Sequence, residues 1–230
     1  LKNDSGIHGV AFNATLAIYR ADQPGSCATE CDFFDSNIAR GVDAAIAAGA
    51  KVINMSLGGS APDSNLIAAM QRAANAGIIM IISAGNDGDK PEGINPDPFA
   101  QVSAQLFPNN VIIAGSVGNL GTGLDQISSF SNKAGTGVAY YLTAQGSRVR
   151  TYDKDGVQTL WSGTSFAAPV ISGAVALIAQ AFPNLTPRQI LDLLFTTADD
   201  LGAVGDDTIF GHGRLNLTRA FTPQGVTSLA

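Results

Sequence analysis

Five apolar residues in a row, Ile78-Ile79-Met80-Ile81-Ile82, sit between Gly77 and the polar run Ser83-Ala84-Gly85-Asn86-Asp87-Gly88. A short run without alternation reads as a strand covered on both faces. Two covered faces demand helices on both sides, and the flanking sequence provides them. Ser64 opens a helix whose inner face is Leu66, Ile67, Met70, Ala73 and Ala74, and Gly77 ends it. Ser36 is placed to N-cap an earlier helix with Ile38, Val42, Ala45 and Ile46 at 3–4 spacing, stopped by Gly49. Strands are expected at Ala14–Tyr19, Lys51–Ser56, Val111–Ser116 and Val138–Ala144. Strand, helix, strand, helix with short connections means βαβ units. The expected fold class is α/β, a parallel sheet flanked by helices on both faces, in one domain of 230 residues.

Composition narrows the function classes. Hydrophobic residues make up 45% of the chain and charged residues 14%, too apolar and too weakly charged for disorder. The net charge is −6, and no Lys/Arg run occurs. A nucleic-acid partner and a polybasic membrane patch are therefore not expected. The uncharged stretch from Gly156 to Pro187 contains Pro169, Ser172, Gly173 and Gln180. It reads as a buried core helix and a turn rather than a membrane span. No apolar segment follows Leu1-Lys2-Asn3-Asp4, so no secretory leader is expected.

Ligands of such sheets gather beyond the carboxyl ends of the strands. Two strand ends carry unusual sequence, Ser56-Leu57-Gly58-Gly59 and Ser83-Ala84-Gly85-Asn86. The first is either a plain exit or an edge that pairs with a peptide by strand addition. Asn86 is either a turn residue or an amide donor to an oxyanion. A third motif, Gly163-Thr164-Ser165-Phe166-Ala167-Ala168-Pro169, opens the long apolar helix. Ser165 is either a helix cap or a nucleophile at a helix N-terminus, where first-turn amides favour developing negative charge. Gly163 would let a substrate backbone approach, and Pro169 is expected to fit the first turn.

In order and spacing, these three motifs resemble those of subtilisin-like serine proteases. So do Gly9-Val10-Ala11 with the strand after it, and Gly211-His212-Gly213-Arg214-Leu215-Asn216 near the end. The resemblance covers nearly the whole chain. It implies a serine endopeptidase acting on peptide or protein substrates. Ser165 would be its nucleophile and Asn86 its oxyanion donor. Ser56, Leu57 and Gly58 would line one side of the cleft. Ser83, Ala84 and Gly85 would line the pocket for the side chain before the scissile bond.

The family's acid and base precede its serine, and neither the aspartate motif nor an H-G-T-H-type motif occurs here. His8 and His212 do not stand where the family has its base. The expectation is that residues 1–230 are the C-terminal portion of a subtilisin-like peptidase domain, incomplete at the N-terminus and nearly inactive alone. The family places a strand of the absent part in mid-sheet. The gap would invite exchange between copies, a homo-oligomer, or a second chain. Two rivals remain open. One is a non-catalytic peptide-binding pseudoprotease. The other is an α/β-hydrolase esterase using Ser165, Asp199 or Asp200, and His212.

Calcium is the cation the family uses for stability. Asp87, Asp89, Glu92, Asp97, Asp206 and Asp207 are hard oxygen ligands in loops, and also ordinary solvated carboxylates; no metal ligand is assigned among them. Cys27 and Cys31 form either a loop disulfide or two unrelated thiols. The stretch from Phe182 to Gly225 resembles passenger domains of bacterial autotransporters. That implies a secreted or cell-surface location and favours the disulfide.

Overall fold

The structure, a computed structural model, describes residues 6–28, 31–119 and 123–223. Helix α1 (Asp35–Ala47) precedes strand β1 (Val52–Met55), α2 (Ser64–Asn75) leads to β2 (Ile79–Ser83), and α3 (Pro98–Leu106) leads to β3 (Val111–Asn119). Strand β4 (Gly123–Ile127) turns back antiparallel on β3, and β5 (Tyr141–Gln145) returns to pair parallel with it. A hairpin, β6 (Val149–Tyr152) and β7 (Gln158–Trp161), then leads into α4 (Thr164–Ala181), α5 (Pro187–Thr196) and α6 (Leu217–Ala220). The parallel register runs Ile53↔Met80, Met80↔Val111 and Ile113↔Tyr141.

The pleat divides β2 between two cores. Met80 and Ile82 face the core shared with α1, α2 and α3, through Val42, Leu66, Met70 and Phe99. Ile79 and Ile81 face Ile171, Val175, Ile178 and Leu191 of α4 and α5. All five residues of β2 are buried, as the unbroken apolar run requires. A side chain such as Ile81 contributes about 1.5–3 kcal/mol by leaving water. Helix α4 is long and apolar enough to cross a membrane. Here its inner face packs on β1, β2, β3 and β5.

Helix α2 is capped by Asp63, whose carboxylate accepts from the Leu66 amide at 2.8 Å. α1 departs from expectation: Phe34, not Ser36, is the N-cap, and no side chain bonds there. Asp35 instead accepts from the Asp63 amide at 2.6 Å, joining the starts of α1 and α2. Near the C-terminus, Arg214 bonds Asp199 at 2.8 Å and Asp125 at 2.7 Å, and Asn216 bonds Asp199 at 2.7 Å. Burial pushes the Asp199 carboxyl up, but Arg214, Asn216 and Arg219 together hold it below its ordinary value.

Gly115 of β3 sets the fit of that strand to β5. A Cβ there would overlap the Tyr141 hydroxyl. Tyr141 is fully buried, and its hydroxyl donates to the Asn132 carbonyl at 2.5 Å. Burial raises that phenol's pKa well above the ordinary tyrosine value, so it remains a donor. Gly115→Ala must displace the ring or part the strands. It should cost about 3 kcal/mol, seen as a lowered urea midpoint with an unchanged slope.

Several expectations fail in instructive ways. Residues 14–19 form no strand; Leu16 is 78% and Ile18 90% exposed. A strand exists only where a neighbour accepts its ladder, and no described residue does so here. Tyr19 nevertheless packs at Gly41 of α1, and Val10 at Gly173 of α4. The segment therefore spans the flanking helices without joining the sheet. The strand expected at 138–144 begins only at Tyr141, because Gly135–Tyr140 is a 3-10 turn. Helix α3, strand β4 and the β6–β7 hairpin lay outside the expectations. Cys27 and Cys31 are joined, with an S–S distance of 2.10 Å.

Candidate active site

The three motifs meet at one place, beyond the carboxyl ends of β1 and β2 and at the N-terminus of α4. Ser165 is the second residue of α4 and half-buried. The first amides of a helix have no partner within it. The Thr164 amide donates to Asn86 Oδ1 at 2.9 Å, and the Phe166 amide to the Gly163 carbonyl at 3.0 Å. The Ser165 amide, between them, has no partner among the described residues. The same is true of Ser165 Oγ.

Asn86 is held from one side only. Its Oδ1 accepts from the Thr164 amide and, at 3.0 Å, from the Thr164 hydroxyl. Thr164 is fully buried, and its hydroxyl also lies 3.2 Å from the Gly85 carbonyl. With Oδ1 turned towards the helix, Nδ2 is free to donate outward, and Asn86 is exposed. Asn86 therefore caps α4 from the loop after β2, and its Nδ2 has no partner among the described residues. Unpartnered donors at a helix N-terminus can stabilise the oxyanion of an attacked acyl group.

Pro169 works differently from expectation. It lies in the second turn of α4, not the first. Its missing N–H would have bonded the Ser165 carbonyl, four residues back. Ser56 Oγ takes that carbonyl instead, at 2.8 Å. Asn54 Nδ2 donates to Ser56 Oγ at 2.9 Å, and Ser172 Oγ to Asn54 Oδ1 at 3.1 Å. The proline thus opens a carbonyl through which β1 grips the Ser165 peptide.

The cleft residues divide into held and open. Ser83 Oγ donates to the Leu57 carbonyl at 2.8 Å, joining the two strand exits. Ser56 and Gly58 make no backbone–backbone hydrogen bond with described residues, so their amides and carbonyls can pair with an extended peptide. Ser83, Ala84 and Gly85 are buried. Gly85 holds φ at 107°, and a Cβ on it would sit 2.5 Å from Asn132 Nδ2. Asn132, only 2% exposed, fastens this corner: its Oδ1 accepts from the Asp87 amide at 2.7 Å, and its Nδ2 donates to Asp97 at 3.0 Å. Sequence inspection missed Asn132, which stands in a polar loop with no periodicity to mark it. Trp161, stacked on Phe166 at 6.2 Å, stands at the other flank of Ser165.

Neither histidine reaches Ser165. His212 Nδ1 bonds Asp206 at 2.9 Å, its ring stacks on Phe195 at 4.0 Å, and its Nε2 is buried without a partner. The esterase arrangement is therefore not assembled. His8 is exposed, near Phe12. Among the described residues no group of three or more His, Cys, Asp or Glu side chains comes together. Asp87 pairs with Lys90, and Asp207 accepts from the amides of Ala203, Ile209 and Phe210.

Comparison with known proteins bears on the family and the fold. The family model described as Subtilase family, peptidase S8, matches residues 1–213. Subtilisin DY of Bacillus licheniformis is 30% identical over 220 residues, 96% of this chain and 73% of the relative. The thermostable alkaline protease of Halalkalibacterium halodurans is 33% identical over 223 residues; the chain spans 54% of its length. Serotype-specific antigen 1 of Mannheimia haemolytica is 32% identical over 165 residues, 67% of this chain and 17% of the antigen. Among solved structures, the patellamide maturation protease PatA superposes with a TM-score of 0.64 at 28% identity, over 82% of this chain and 68% of that one.

Proposed function

Because this chain belongs to the subtilase family, we propose that it carries the nucleophile, oxyanion hole and substrate cleft of a serine endopeptidase whose acid and base lie outside these 230 residues. Ser165 Oγ attacks the carbonyl carbon of a peptide bond. The oxyanion is held by the Ser165 amide and Asn86 Nδ2. A base takes the serine proton and passes it to the leaving amine. Water then hydrolyses the acyl-enzyme, freeing the acid and restoring the hydroxyl. The peptide lies along Ser56–Gly58, with the side chain before the scissile bond over Ser83–Gly85. The observation that supports this proposal is the hold of Thr164 on Asn86 Oδ1, which leaves Asn86 Nδ2, like the Ser165 amide, without a partner among the described residues.

The sheet supports an outside contribution. Among the described residues β1 has a ladder partner on one side only, and residues 14–19 have none. A strand between them would satisfy both edges. It would come from upstream chain or from a second copy by exchange. Export to the cell exterior or surface accords with the joined cysteines.

A fluorophosphonate that reacts with activated serines tests the function. A longer product of the same gene should be labelled at Ser165, and Ser165→Ala should abolish labelling. Labelling elsewhere, or none, would overturn the proposal. The position of both histidines favours a second reading, a peptide-binding pseudoprotease. It prevails if the longer chain also lacks the acid and base motifs.

A further inference from the structure

Asn86 follows Gly85, whose left-handed backbone is the most freely turned part of the β2 exit. Among the described residues no hydrogen bond holds the Asn86 backbone itself; only its side chain is tied, to Thr164. Its two neighbours are fixed by one residue of a distant loop. The Asn132 amide donates to the Gly85 carbonyl at 3.1 Å, and Asn132 Oδ1 accepts from the Asp87 amide at 2.7 Å. These bonds grip the chain immediately before and immediately after Asn86. Next along, the Gly88 amide donates to the Phe130 carbonyl at 2.8 Å. Residues 85–88 therefore run antiparallel to residues 130–132, with the Asn132 carboxamide standing in for a peptide group.

Asn132 is itself immobilised. It is buried, and its Nδ2 donates to the Asn95 carbonyl at 3.1 Å and to Asp97 Oδ1 at 3.0 Å. The Asp97 carboxylate in turn fills the space at Gly58 and Gly85. The Asn132 carbonyl accepts from the hydroxyl of Tyr141, a fully buried residue of β5. A side chain out of water and paired at both polar atoms keeps one position, and breaking any of its bonds leaves a buried group unpaired. The Gly85 carbonyl that Asn132 holds also lies 3.2 Å from the Thr164 hydroxyl, so this clamp and the cap of α4 share one peptide.

We propose that Asn132 is a positioning residue for the oxyanion donor: by holding the backbone on both sides of Asn86, it sets where the Asn86 carboxamide stands relative to Ser165. The proposal deepens the donor role given to Asn86 above and rests on it. An oxyanion donor helps only if it is in place before charge develops. Misplacement by about 1 Å is enough to lose most of the effect. A side chain carried on a glycine-led loop has that precision only if something rigid holds the loop.

The first test reads position and does not depend on turnover. In the isotope-labelled chain, NMR relaxation of the Asn86 side-chain amide should give an order parameter of about 0.85, falling below about 0.6 in Asn132→Ala. The side-chain amide of Asn110, bonded to the Ile78 carbonyl at 3.0 Å at the other end of β2, should not change. An Asn86 amide that stays rigid in Asn132→Ala, or an Asn110 amide that loosens with it, would overturn the proposal. The second test reads kinetics in a longer product of the same gene. Asn132→Ala should lower kcat about ten- to a hundredfold and leave KM unchanged. With Asn86→Ala already present it should lower kcat no further, since no donor remains to be misplaced. An unchanged kcat, or equal losses in the two backgrounds, overturns the proposal. If Asn132→Ala fails to fold, Tyr141→Phe takes its place: the ring stays, the bond to the Asn132 carbonyl goes, and the same readouts decide. Loosening of Asn86 in a longer chain that cleaves no peptide leaves the clamp standing and removes only the catalytic reading. Cleavage indifferent to Asn86→Ala removes the donor, and this proposal with it.

Discussion

Supplying the upstream acid and base should raise peptide cleavage by about four to six orders of magnitude in kcat/KM, a range carried over from losses of single triad members in subtilisin. A serine hydroxyl at neutral pH is a poor nucleophile until a base removes its proton. Here Ser165 Oγ has no partner among the described residues, and both histidines are engaged or exposed elsewhere. With the proposed oxyanion donors and cleft alone, the 230 residues should retain only the residual catalysis such parts provide, about 10³–10⁴ over water, also a subtilisin figure. The comparison is kcat/KM on a chromogenic peptide for this chain and for a longer product of the same gene. Equal rates would defeat the division of the site between two segments. A gain that survives Ser165→Ala would defeat the choice of nucleophile.

In the active longer chain, Asn86→Ala should lower kcat about 10²–10³-fold and leave KM almost unchanged, again by analogy with the subtilisin donor. The reason is that the donor meets charge present only in the transition state. The structure adds a complication and its remedy. Asn86 also accepts from the Thr164 amide and hydroxyl, so alanine removes a helix cap worth about 1 kcal/mol of stability. Asn86→Asp keeps an oxygen for Thr164 while replacing the donor with a negative group facing the oxyanion. It should match or exceed the alanine loss in kcat with a smaller fall in Tm. Retained activity in Asn86→Asp would refute the donor role.

The parts of the fold visible in the sequence were those with local causes. The run Ile78–Ile82 became a strand buried on both faces, and the helix stops at Gly49 and Gly77 hold φ near 70°. Ala14–Tyr19 has a strand's composition, yet composition cannot provide the neighbour a ladder needs. Helix α3 hid behind Pro96 and Pro98, whose second member sits at the first helical position, where its missing N–H costs nothing. Strand β7 was absorbed into the uncharged stretch from Gly156 to Pro187, and β6 lies just before it among charged residues. Asp97 was noticed only as one of several loop carboxylates. Its position between two glycines from different strands has no trace in its neighbours along the chain.

Residue order by itself determined the alternation of strands and helices and the two-sided core, because each depends on periodicity or spacing within a short window. Tertiary structure alone decided how those parts act together. Asn86 meets Thr164 across 78 residues, and Ser56 takes the Ser165 carbonyl that Pro169 leaves open across 109. Hydrogen bonds over such separations are chosen by the packing of α4 against the sheet, and no local pattern encodes which distant group that packing brings within 3 Å.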